Sequence, residues 1–368
     1  AASAGETSNV AIGYDAMGAI NEGSNSGSGA ANVDHNIALG YQAFLGGTFG
    51  AQGDSTDRQS LGNVAIGANA LDATGANPSI GQVAIGQNAL SALTTGGSNI
   101  SIGYQAGQTI QTGGDNVIIG HQAMDAAHAD TDSCVAIGVN AMGGSHTGTR
   151  SLRNVAVGKN AMAGAMNAAE NNTAVGDEAL AGIVSGDQNV AIGMHAGHDL
   201  NSGEDNVLIG ANAGDAMTSQ DKVIAIGRNA CGALSHDDAD DTIAIGQSAG
   251  SSIVSAQNTT IVGAFAGDAI VDGDYNTLFG HSAGTSLTSG GNNIAIGSAA
   301  LRDHVDGHRN IAIGGAAMYL TQGTTADGSS ENIAIGYQAM GGDWANTTSE
   351  WNIAMGNYAM DAAMDDAN

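Results

Sequence analysis

"NVAIGYDAM", residues 9–17, returns as "NIALGYQAF" at 36–44, "NVAIGANAL" at 63–71 and "NISIGYQAG" at 99–107. The glycine after the apolar run anchors each copy, and nineteen copies follow it from Gly13 through Gly40, Gly67, Gly103 and Gly120 to Gly356. Nine of the eighteen intervals between these glycines are 17 residues, so 17 is the basic period and longer intervals carry insertions. Three positions past every glycine stands an alanine, as at Ala16, Ala43 and Ala106. Four positions before it stands Asn in fourteen copies, among them Asn9, Asn36, Asn63, Asn99 and Asn116, with Gln82, Cys134, Val223, Thr242 and Thr259 as the departures.

The alternation within "NVAIG" is two rather than 3.6, which makes it a strand, and the glycine then breaks it with a permissive turn. Val and Ile suit strands. A copy of 17 residues is the length of one coil of a β-solenoid whose strands pair in parallel with the next copy. The fold expected is therefore all-β: a parallel β-roll of about nineteen coils. At about 4.8 Å per coil it would make a rod of about 90 Å. It forms a single repeat domain over 1–368, with a repeat core at 9–360. Insertion loops are expected at 18–35, 45–62, 143–153, 319–331 and 341–351, on the surface where binding loops of repeat proteins lie. Recurrent asparagines have two readings, a hydrogen-bonded ladder between coils or a simple preference for the turn before a strand.

Val and Ile are expected to fill the inside of the coil. The opposite side of the strand carries Ala in most copies and Ile118, Leu208, Ile261 or Leu278 in four, so both sides are apolar. Burial on two sides requires a partner chain, and an oligomer is expected with the small Ala at its interface.

Composition narrows the function. The chain of 368 residues has 58 Gly, one Pro and 4% aromatics, so its core is thin. Gly-rich chains are often disordered, but a phase held over nineteen copies argues against it. A formal charge of −28, from 36 acidic and 8 basic residues, disfavours nucleic acid and anionic membranes as partners. No run of 18 apolar residues is present to insert in a membrane. Cys134 and Cys231 fall at different phases of the repeat and are expected as separate free thiols.

No Ser-His-Asp or paired-carboxylate constellation stands out, G-x-G-x-x-G does not occur, and "VGKN" at 157–160 lacks the Ser/Thr of a phosphate loop. The chain is not expected to be an enzyme. The best metal-like cluster is "HVDGH", with His304, Asp306 and His308 as candidate ligands. "HDDADDT" at 236–242 offers oxygen ligands of the kind Ca²⁺ takes, without the spacing of known calcium loops; hydrated loops are the competing reading of both. Trp344 and Trp351, in the last insertion, are candidates for receptor contact through stacking or for capping the end of the rod.

The phrase "NVAIG" followed by "xxA" resembles the head repeat of YadA-type trimeric autotransporter adhesins, and is similar above all to its long-period version in phage and viral tail-fibre proteins. The resemblance covers Asn9 to Met360. It implies a homotrimer of β-rolls that attaches to a surface, with a host glycan or protein as receptor and an extracellular or virion-surface location. The chain departs from the bacterial pattern in its longer period and its unvarying Ala in place of Ser, and as given it carries neither stalk nor barrel anchor. A bacterial adhesin head and a purely structural rod or filament subunit are the alternative expectations.

Overall fold

The computed structural model describes residues 8–18, 32–46, 59–75, 77–146, 148–236, 239–319, 328–342 and 349–361. Every copy places its three residues before the glycine in a strand, from Val10–Ile12 to Ile353–Met355. The chain divides into two compact units, Ala1–Ser185 and Gly186–Asn368. Nine such strands belong to the first and ten to the second. Within each unit successive strands pair in parallel and in register: Val64 lies opposite Val83 and Ile66 opposite Ile85, as Ile294 lies opposite Ile311 and Ile296 opposite Ile313. This is the expected parallel β-solenoid. A second, shorter parallel ladder in the first unit joins Asn32–Asp34, Gln59–Leu61 and Ser79–Ile80. Asn32–Asp34, Gln59–Leu61 and Leu152, which bridges to Asp132 and Glu170, lie at the ends of three stretches expected to be insertion loops. Loop residues thus re-enter the coil before its next asparagine; Ser151, Ser329 and Ser349 are buried there. The middles of four of the five stretches, all but 143–153, lie outside the described residues.

The anchoring glycines have φ between 120° and 147°, which side chains on an L-residue do not tolerate. A second reason is closeness: a Cβ on Gly193 would lie 2.6 Å from both the carbonyl carbon and oxygen of Gly210. Glycine recurs because the coils touch backbone to backbone at this corner. Two further corners are left-handed even without glycine, for example Asn212 (φ 56°) two residues past the anchor and Met142 (φ 51°) four past it. Stacked coils on both sides impose these conformations.

The interior corrects one expectation. The residue that points inward is the middle one of each strand, Ala in most copies, and it is buried in all strands but the first. The flanking Val and Ile point outward and are half-buried or exposed. The reason is volume. The inside of a coil already holds the invariant Ala, a residue four past the glycine such as Met162 or Leu301, and an aliphatic side chain seven past it such as Ile110 or Leu287. Only a small residue fits beside them. Where the residue four past the glycine is itself Gly, the space is reused: a Cβ on Gly214 would lie 2.9 Å from Leu208, and one on Gly267 2.8 Å from Leu278. The four large middle residues therefore fill the core, not an interface.

The asparagines form a ladder inside each unit. Asn63 donates its backbone N–H to Asn36 Oδ1 (2.9 Å) and its Nδ2 to the same oxygen (3.0 Å) and to the Ser79 carbonyl (2.7 Å). The same set recurs at Asn206, Asn293 and Asn332. Each amide thus satisfies buried backbone groups of its own coil and the next, where an orphaned group costs about 1–3 kcal/mol. Gln82 and Cys134 stand in at two rungs: Gln82 Oε1 accepts from Asn99 N at 3.1 Å, and Cys134 Sγ accepts from Asn154 N at a longer 3.5 Å.

Candidate functional site

Because the strand middles turn inward, each unit carries an outward stripe two residues wide, formed by the Val, Ile or Thr three before the glycine and the aliphatic residue one before it. Ile192, Ile245, Ile294 and Ile296 are each more than a third exposed, and Phe279 is 56% exposed. In-register pairing aligns these side chains in two columns. The stripe is a regular apolar face on the surface of the single chain.

Aromatic and amide side chains border the stripe just past the glycine corner. Tyr14 stacks on Tyr41 with ring centroids 5.6 Å apart, and Tyr104 on His121 at 5.2 Å. Phe265 meets His281, and Tyr337 meets Tyr358, edge to face. Beside them runs an outer amide ladder, in which Gln122 Nε2 donates to Gln105 Oε1 (3.0 Å) and Asn140 Nδ2 to Asn160 Oδ1 (3.0 Å).

Of the two tryptophans, Trp344 lies outside the described residues. Trp351 is 73% exposed, at a left-handed corner, and its indole N–H donates to Glu331. Glu331 also pairs with Arg309 at 2.6 Å. The indole N–H, and then Arg309, hold the Glu331 carboxyl below the ordinary glutamate range. The exposed ring is thereby fixed in place by a charged partner.

The residues of "HVDGH" do not converge. His304 is fully buried, seven past its glycine, in the column that other coils fill with Ile, Leu or Met. Asp306 faces outward and accepts from the Thr288 (2.9 Å) and Ser289 hydroxyls, while His308 Nδ1 accepts from Gly291 N at 2.9 Å. "HDDADDT" lies partly outside the described residues; its Asp240 accepts from Asp221 N at 2.8 Å. Among the described residues no group of three His, Cys, Asp or Glu side chains is arranged to hold a metal ion. Acidic side chains at this corner serve the neighbouring coil, as Asp221 does in accepting from Glu204 N and Asp274 from Gln257 N.

The core histidines escape a reading of the repeat. His146, like His304, is a core histidine, and burial pushes the imidazole of each down to about 4. Each replaces one aliphatic member of a column, a signal visible only once that column is known to face inward. Cys134 and Cys231 are free, buried thiols, held up to about 11 and about 12 by burial.

No protein-family model matches the chain, and no curated protein matches it. Among the described residues no helix is long and apolar enough to cross a membrane.

Proposed function

We propose that this chain is the subunit of a homotrimeric fibre that attaches to a cell surface, most like a segment of a viral tail fibre and located outside cells or on a virion. The observation that carries the reading is the outward stripe of Val and Ile. Within each unit it is only two residues across, about 7 Å. A narrow apolar face is covered on all its length when three copies turn it towards a common axis, and a closed symmetric assembly leaves none of it in water. The remaining surface, acidic and bordered by exposed Tyr, His and Trp351, is then free to meet a host glycan or protein. Aromatic rings held by neighbours supply contact area with little loss of side-chain entropy. No catalytic step and no nucleic acid enters this reading.

Light scattering on the purified chain at low and high salt tests the assembly. A mass near three times 36.1 kDa is expected in both; a monomer at all concentrations would refute it. Binding of the trimer to intact cells tests attachment. A second reading, a purely structural rod, draws on the uniformity of the coils, whose conserved geometry serves stacking alone; a trimer that binds no cell and no glycan would favour it.

A further inference from the structure

Three successive coils of the first unit, those anchored at Gly67, Gly86 and Gly103, open a cleft of about 560 Å³ on their surface. Asn69, Asp72, Asn88, Ser91, Gln108 and Gln111 line it. The interval from Gly67 to Gly86 is 19 residues, two more than the basic period. The volume lies within the range of ordinary small-ligand sites, about 300–1,000 Å³.

The lining decides what could enter. Its polar groups are amides, the Ser91 and Thr109 hydroxyls and one carboxylate, with Ala92 among them and no Lys, Arg or His, so an anionic ligand finds no counter-charge. Asn69 Nδ2 donates to Asn88 Oδ1 (3.3 Å), which orients both amides. Burial holds the half-buried Asp72 carboxyl above the ordinary aspartate range, the mark of an acceptor short of water. Amide groups, two hydroxyls and a carboxylate along one groove call for a ligand rich in hydroxyls, each of which both donates and accepts. The groups repeat in steps of about 4.8 Å along the stack, the scale of one sugar ring.

We propose that this cleft binds a neutral hexopyranose unit of a surface glycan. The proposal rests on the attachment reading and names its receptor class. Affinity for one unit is about millimolar, since the cleft is open and lacks an aromatic floor, and the three copies of a fibre would multiply it.

Saturation-transfer NMR and titration of the full chain with methyl α-glucopyranoside, α-galactopyranoside and α-mannopyranoside provide the test. At least one is expected to bind, and Gln108→Ala should weaken it by about fivefold or more, the loss of one good hydrogen bond. Ser91→Leu, which fills the cleft from a half-buried position, should abolish binding, and Gln247→Ala, an exposed amide of the second unit, should leave it unchanged. Circular dichroism of each variant confirms that the coils are intact. No saturable binding of any of the three sugars, or equal binding by Ser91→Leu, overturns the proposal. Cell attachment retained by a Ser91→Leu chain that has lost sugar binding would overturn the cleft as receptor site and leave the attachment reading standing. Sugar binding without any cell attachment would support the cleft and refute attachment instead.

Discussion

Replacing Asn293 by Val removes one rung of the asparagine ladder without changing side-chain bulk much. Asn293 Nδ2 donates to the Gly307 carbonyl (2.7 Å) and to Asn276 Oδ1 (3.1 Å), and its Oδ1 accepts from Asn310 N (2.9 Å). Gly307 and Asn310 are both buried, so Val leaves one backbone carbonyl and one backbone N–H without a partner or water. Asn276 Oδ1 keeps its bond from the Asn293 backbone N–H (3.0 Å). Two orphans at about 1–3 kcal/mol each, less about 1 kcal/mol regained by burying two methyl groups, give a net loss of about 3 kcal/mol. The chain contains its own reverse experiment at Val223, whose backbone N–H donates to Asn206 Oδ1 (2.8 Å) but whose side chain accepts nothing from the next coil. Val223→Asn should therefore stabilise the second unit by about 1 kcal/mol. Urea unfolding gives both values, and hydrogen exchange at the Asn310 amide reads the broken bond directly, with protection falling about 100-fold in Asn293→Val. A loss below about 1 kcal/mol with unchanged protection at Asn310 would refute the ladder as a source of stability.

Four further outcomes follow from the same geometry. Gly193→Ala should prevent the local stacking, because its Cβ meets the Gly210 backbone at 2.6 Å; a Tm within a few degrees of wild type would contradict this. Acid should destabilise the chain through its core histidines: with folded values near 4 against 6.5 unfolded, the unfolded chain protonates first as pH falls. Stability is then full above pH 6.5, falls between 6.5 and 4 by about 3 kcal/mol per histidine, and levels off below, and His304→Leu should remove half of that slope in urea titrations at pH 7 and pH 4.5. Cys134 and Cys231 should resist iodoacetamide at pH 8 in the native state and both react in urea, as mass spectrometry would count. Ile296→Lys should change coil stability by less than about 1 kcal/mol, since the side chain points outward, yet lower the particle mass from three chains to one.

The repeat itself is legible in the sequence, because a nine-residue phrase at a near-constant period leaves a strand, a glycine corner and parallel stacking as the arrangement that satisfies every copy. The two-sided apolar character of "VAI" is also legible, since strict alternation separates the two sides of a strand. Which side faces inward is not. That depends on the space left inside a closed coil, and the claim on it by Met162, Ile110 or Leu301 exists only after residues four and seven past the glycine have turned back over the strand. For the same reason His304 reads as a surface ligand in "HVDGH" and proves to be core, its column being defined by neighbours 17 residues away. The cleft at Asn88 and Gln108 is invisible in the sequence altogether, because it is a gap between three coils rather than a property of any one of them. Periodicity determined the coil; the volume enclosed when the coil closed decided which residues became core and which became surface.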